Sequence, residues 1–167
     1  GIVTARPNYR LAPDGVTPDK CVEDARSAVR WLRANAARLG IDPKEVISAG
    51  GSAGGHLAFC TSIQQGADDP NDDTTISCIP HAMVLYNPAL FKSDSEMVKA
   101  AVAEGIMSAE RLKLISPLDH VDKDTPPALI LFGTRDGLKR GADEYLRLAK
   151  EVGIRAEMFT AEGENHG

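Results

Sequence analysis

The stretch Val46-Ile47-Ser48-Ala49-Gly50-Gly51-Ser52-Ala53-Gly54-Gly55-His56 decides how this chain is read. Its first four residues form a short, largely apolar run of strand type. The glycines that follow bracket a serine in the pattern G-x-S-x-G, with Gly50, Ser52 and Gly54 at the fixed positions. A serine hydroxyl is a poor nucleophile unless its Oγ is lifted clear of the backbone and presented to a base. A sharp strand-to-helix turn lifts it, and such a turn needs residues without side chains beside the serine. Gly50 and Gly54 are expected to supply this, with Gly51 completing the elbow. The turn also leaves the N–H of Ala53 free at a helix N-terminus, where a developing oxyanion would be stabilised. A phosphate-cradling turn is the competing reading. It would need a Lys before Ser/Thr, or G-x-G-x-x-G opening a βαβ unit, and neither pattern is present.

Downstream stand an acid and a base. Asp136 closes Leu131-Phe132-Gly133-Thr134-Arg135-Asp136, and His166 lies in Gly163-Glu164-Asn165-His166-Gly167. A histidine in a glycine-bracketed loop can swing toward Ser52 and exchange protons near neutral pH. The other histidines are worse placed. His56 should point along the helix after the elbow, His81 opens a strand, and His120 sits in a loop with at most a secondary role lining the site. Asp136 would orient His166; its rivals Asp119, Asp122 and Asp124 precede a strand instead of following one.

The surrounding pattern is α/β. Gly1 to Ala5 reads as a buried strand, and Tyr9-Arg10-Leu11-Ala12-Pro13 as the loop leaving it. Thr17-Pro18-Asp19 supplies an N-cap, a proline at the first helical position and an acid in the first turn. Val22, Ala25, Val29, Leu32, Ala36 and Leu39 then mark one helix face, stopped by Gly40. Strands are expected at 45–49, 81–86, 127–132 and 155–160, and helices at about 53–65 and 142–152. A helical pattern broken near Gly105 runs over 93–114, a span that could help cap a site. Strands alternating with helices predict a mostly parallel sheet with helices on both faces. Ser52, Asp136 and His166 each follow a strand, so all three should open onto one edge.

A length of 167 residues suits one domain spanning 1–167. A net charge of −5 without a basic patch argues against nucleic acid as a partner. Arg26, Arg30, Arg33 and Arg38 on one helix read as a solvated face. Asp68-Asp69-Pro70-Asn71-Asp72-Asp73 reads as a solvated loop, lacking the ligand pattern of a calcium loop. Cys21, Cys60 and Cys78 have neither disulfide-framework nor zinc spacing, and Cys60 is expected to be a small buried hydrophobe. No apolar run reaches the length of a membrane span. The chain opens with Gly1, not Met, and reads as a piece excised from a longer protein; composition leaves its compartment and oligomeric state open.

Taken together, Tyr9-Arg10-Leu11-Ala12-Pro13, Glu23-Asp24, Trp31-Leu32, Gly50 through Ala58 and Phe132-Gly133-Thr134-Arg135-Asp136 resemble the α/β-hydrolase esterases. The resemblance is to the hormone-sensitive-lipase-like and carbohydrate-ester (acetylxylan or feruloyl) branches, and the order Ser, Asp, His fits that fold. Gly51 and His56-Leu57-Ala58 look more like the carbohydrate branch. The resemblance implies the α/β-hydrolase fold without its N-terminal strands, and an upstream His-Gly-Gly loop that would complete the oxyanion hole. It implies a serine esterase acting on short-chain esters, acetylated carbohydrates among them, without metal or organic cofactor. Aminopeptidase or arylformamidase activity on the same fold, or a silent truncated hydrolase-fold protein, stay open as alternatives.

Overall fold

The structure is a computed structural model describing residues 1–11 and 15–167; Ala12 and Pro13, the end of the expected first loop, lie outside the described residues. Four strands form one parallel sheet in the order β1 (Ile47–Gly51), β2 (Ala82–Tyr86), β3 (Ala128–Gly133), β4 (Ala156–Ala161). Between β1 and β2 comes α3 (Ala53–Cys60), preceded by α1 (Pro18–Ala34) and α2 (Ala36–Leu39). The β2–β3 connection carries α4 (Glu96–Ala103) and α5 (Ala109–Leu114), and α6 (Lys139–Val152) links β3 to β4.

Alternation along the strands divides the sheet into two faces. Met83, Leu85, Ala128, Ile130 and Phe132 point into a core shared with Ala58 and Phe59 of α3 and Ala142, Tyr145 and Ala149 of α6. Phe59 meets Tyr145 edge-on at 5.2 Å. A second core joins Val22 of α1 and Leu57 and Cys60 of α3 to Val98 of α4 and Leu112 of α5. The expectation of helices on both faces is met on one face within this chain. Ile47, Tyr86, Leu129 and Phe159, on the opposite face, are exposed.

Several local expectations are corrected. Gly1 to Ala5 forms no strand and is exposed, because no neighbouring strand offers it a ladder among the described residues. Thr17 precedes α1 without a side-chain cap bond, and Asp19 is buried instead, paired with Arg111. The helix expected to run to Leu39 breaks at Asn35, before Gly40 closes α2 at φ 66°.

The largest correction concerns the arginines of α1. Arg26 and Arg30 are buried. Arg26 Nε donates to Asp68 at 2.6 Å, and its Nη1 to the carbonyls of Cys60 at 3.0 Å and Ile63 at 2.5 Å. Arg30 pairs with Asp68 at 2.6 Å and Asp72 at 2.8 Å. Arg33 donates to the carbonyls of Pro43, Ser77 and Ile79, while Arg38 lies 5.3 Å from the exposed Trp31 ring. What reads as a solvated face and a solvated loop is one ion-paired seam holding the loop after α3 against α1. Charges are buried when they are paired and hydrogen-bonded, and Arg26 and Arg30 each have both a carboxylate partner and a backbone carbonyl to donate to.

Candidate active site

Ser52 sits between β1 and α3 with φ 54° and ψ −119°, a left-handed conformation for a non-glycine residue. Its N–H donates to the Tyr86 carbonyl at 2.9 Å, tying the turn to the end of β2. The glycine requirement is sharper than the sequence pattern suggests. A Cβ on Gly50 would lie 2.3 Å from the Gly54 carbonyl oxygen, and one on Gly55 would lie 2.8 Å from Pro88 Cβ. A Cβ on Gly54 would meet nothing within 4 Å of the described residues, and one on Gly51 would make ordinary contact with Tyr86. Crowding therefore acts at Gly50 and Gly55, and Gly54 is not held by it. Ala53, the first residue of α3, is exposed, and a first-turn amide has no acceptor within its own helix.

Asp136 follows β3 and His166 follows β4. Their loops interlock: Arg135 N–H donates to the Glu164 carbonyl at 2.9 Å and Gly163 N–H to Thr134 Oγ1 at 2.8 Å. Gly133 makes this approach possible, since a Cβ there would stand 2.3 Å from the Glu164 oxygen. Asp136 is buried and accepts from Leu138 N–H at 2.8 Å and from His166 Nδ1–H at 2.7 Å. The other ring nitrogen, Nε2, lies 2.9 Å from Ser52 Oγ. With Nδ1–H committed to the carboxylate, Nε2 is the acceptor for the Ser52 hydroxyl proton. Three side chains from three strand ends thus form one continuous hydrogen-bonded line.

The remaining candidates are occupied elsewhere. His56 is buried, stacked on Phe91 at 5.0 Å, with Nε2–H donating to the Ile115 carbonyl at 2.7 Å; burial pushes its pKa down. Cys60 is buried, as expected, and burial pushes its thiol up, away from the reactive thiolate. His120 bonds the Lys113 carbonyl and His81 faces Glu45 at 3.7 Å; neither touches the Ser52–His166 pair. Asp119 accepts from Ser93 N–H, and Asp122 and Asp124 are held in their own turn.

Gly55, Gly133 and Asn87 escaped the sequence reading. Gly133 stands three places before Asp136, but nothing local to it shows that the Glu164 backbone passes so close. Asn87, at the end of β2, has φ 36° and sets its side-chain amide against the His166 ring. The Asn87-Pro88 pair marks a turn, but no local pattern shows what the amide faces.

This fold and this site define a class. A family profile described as alpha/beta hydrolase fold matches residues 1–167, and the chain belongs to that family. Among curated relatives, it is 27% identical to the probable carboxylic ester hydrolase LipM of Mycobacterium tuberculosis, covering 90% of this chain and 39% of LipM. It is 28% identical to an arylesterase of Saccharolobus solfataricus, covering 95% of this chain and 55% of that protein. Among solved structures, the apo form of Thermogutta terrifontis esterase 2 superposes with a TM-score of 0.84 at 35% identity, covering 96% of this chain and 60% of that one. The chain therefore spans roughly two fifths to three fifths of the length of these relatives. Among the described residues, no helix is long and apolar enough to cross a membrane.

Proposed function

We propose that the protein is a serine carboxylesterase working through an acyl-enzyme. Ser52 Oγ attacks the ester carbonyl as His166 Nε2 takes its proton, and Asp136 stabilises the imidazolium that forms. The oxyanion develops toward the free Ala53 N–H, and donors from elsewhere in the whole protein would add to it. Collapse expels the alcohol, which receives the proton from His166. Water then repeats the sequence at the acyl carbonyl, releasing the acid and restoring Ser52.

The observation that carries this reading is the unbroken line from the Ser52 hydroxyl through His166 to Asp136, at 2.9 and 2.7 Å. The relatives' names support an ester substrate, and structures of Thermogutta esterase 2 bound to propionate and to butyrate support a short acyl group. The same esterase has been solved phosphorylated by paraoxon, which fits an activated nucleophile. Acetyl groups on carbohydrates are the finer part of the proposal, supported by Gly51 and the His56-Leu57-Ala58 continuation.

The test is turnover of p-nitrophenyl acetate by the full chain. Ser52→Ala should lower it roughly a thousandfold or more, and a fluorophosphonate should label the parent at Ser52 and fail to label His166→Ala. Unchanged turnover in Ser52→Ala removes the nucleophile assignment, and full labelling without His166 moves the base elsewhere. Amide turnover far above ester turnover would favour the peptidase or formamidase reading.

A further inference from the structure

The proposal that follows rests on the esterase reading and deepens it. His166 belongs to a short loop after β4, and its side chain is 42% exposed. Two in-plane hydrogen bonds set where its nitrogens point, yet a ring held only at its edges can still rock and swing toward solvent. Something must stand against its face.

Asn87 stands there. Its Nδ2 lies 3.1 Å from His166 Nδ1 and 3.3 Å from Nε2. Both nitrogens already have in-plane partners, Asp136 and Ser52. An approach in the ring plane, nearly equidistant from the two, would drive the amide onto Cε1 closer than van der Waals contact allows. The amide therefore lies over the ring face, where neither contact is a conventional hydrogen bond and the interaction is of the N–H···π kind.

The backbone beneath is built to hold it. Asn87 is buried, and its N–H donates to the Leu131 carbonyl at 2.7 Å, fixing it to β3. The next residue, Pro88, is the one that crowds Gly55. At φ 36° the chain leaves the strand direction in the left-handed region. Asparagine tolerates that region better than most residues, and strain of this sort persists where the surroundings impose it.

We propose that Asn87 is a positioning residue: its amide forms a rigid wall against His166 that keeps the imidazole in line between Ser52 and Asp136. The wall acts through His166 and needs no contact with substrate.

Asn87→Gly tests this, because glycine keeps the left-handed backbone while removing the amide. In the full chain, kcat for p-nitrophenyl acetate should fall about tenfold with KM within twofold, as expected for misplacing a catalytic group. The downfield proton resonance of His166 Nδ1–H should broaden, while the thermal midpoint stays with the parent. Asn87→Ala, which keeps a Cβ, should reproduce the loss and serves if the glycine variant fails to fold. Parental kcat in a folded variant overturns the proposal, and so does a rise in KM at constant kcat, which would make Asn87 a substrate contact. Ser52→Ala separates the two claims. If it is inert while Asn87→Gly matches the parent, positioning alone falls; if it stays active, the nucleophile reading falls and the positioning role with it.

Discussion

Ser52 and Asn87 are the two non-glycine residues with clearly positive φ among the described ones, and both meet at the His166 ring. Steric neighbours dictate the glycines around them in an equally specific way. Gly50→Ala would push a Cβ into the Gly54 carbonyl, whereas Gly54→Ala would project into open space. In chemical denaturation, Gly50→Ala should lose about 1–3 kcal/mol, the usual scale of overpacking, and fluorophosphonate labelling with it. Gly54→Ala, at the second position of α3, should be neutral or gain up to about 1 kcal/mol from helix propensity. Equal losses in the two variants would refute this reading of the turn. From sequence, all the glycines of the elbow look alike; which one is crowded depends on the Gly50 to Gly54 approach and on Pro88, more than thirty residues beyond Gly55.

At the scale of elements, α1 and the loop after α3 behave as one unit. Arg26 bonds the carbonyls of Cys60 and Ile63 as well as Asp68, so its removal takes the donor from the Ile63 carbonyl and leaves Cys60 and Asp68 with one partner fewer. Arg26→Met should cost about 3 kcal/mol, the lower end for breaking one side of a buried pair, read as a drop in urea midpoint. Arg38→Met, on the same helix but against an exposed Trp31, should change stability little. The helical period was legible in Val22, Ala25 and Val29. The fate of the arginines was not, because a charge between apolar residues looks solvated until its partners, forty residues away, are brought to it.

For the whole molecule, that seam also sets a pH dependence. Burial alone would raise the Asp68 carboxyl, but the forks of Arg26 and Arg30 outweigh it and hold its pKa below the ordinary carboxylate range. A carboxylate depressed in the folded state adds stability that is present above its unfolded value and lost as pH falls through the folded one. Stability should therefore decline as pH drops below about 4. Asp68→Asn should be less stable than the parent at neutral pH and flatter on acidification; an equally steep acid limb in that variant would place the sensitivity elsewhere.

The sequence by itself determined the parallel α/β order, the glycine turn carrying Ser52, and three strand ends bearing a hydroxyl, a carboxylate and an imidazole in the order Ser, Asp, His. These follow from spacing and local backbone preference, which a chain carries along its length. Only the tertiary structure decided which sheet face the helices cover, that Arg26 and Arg30 are buried, that Gly55 and Gly133 permit close approach, and that Asn87 lies over His166. Each of these is a contact between segments remote in sequence. Its energy depends on desolvation and on the distance between partners, and neither exists until the chain has folded.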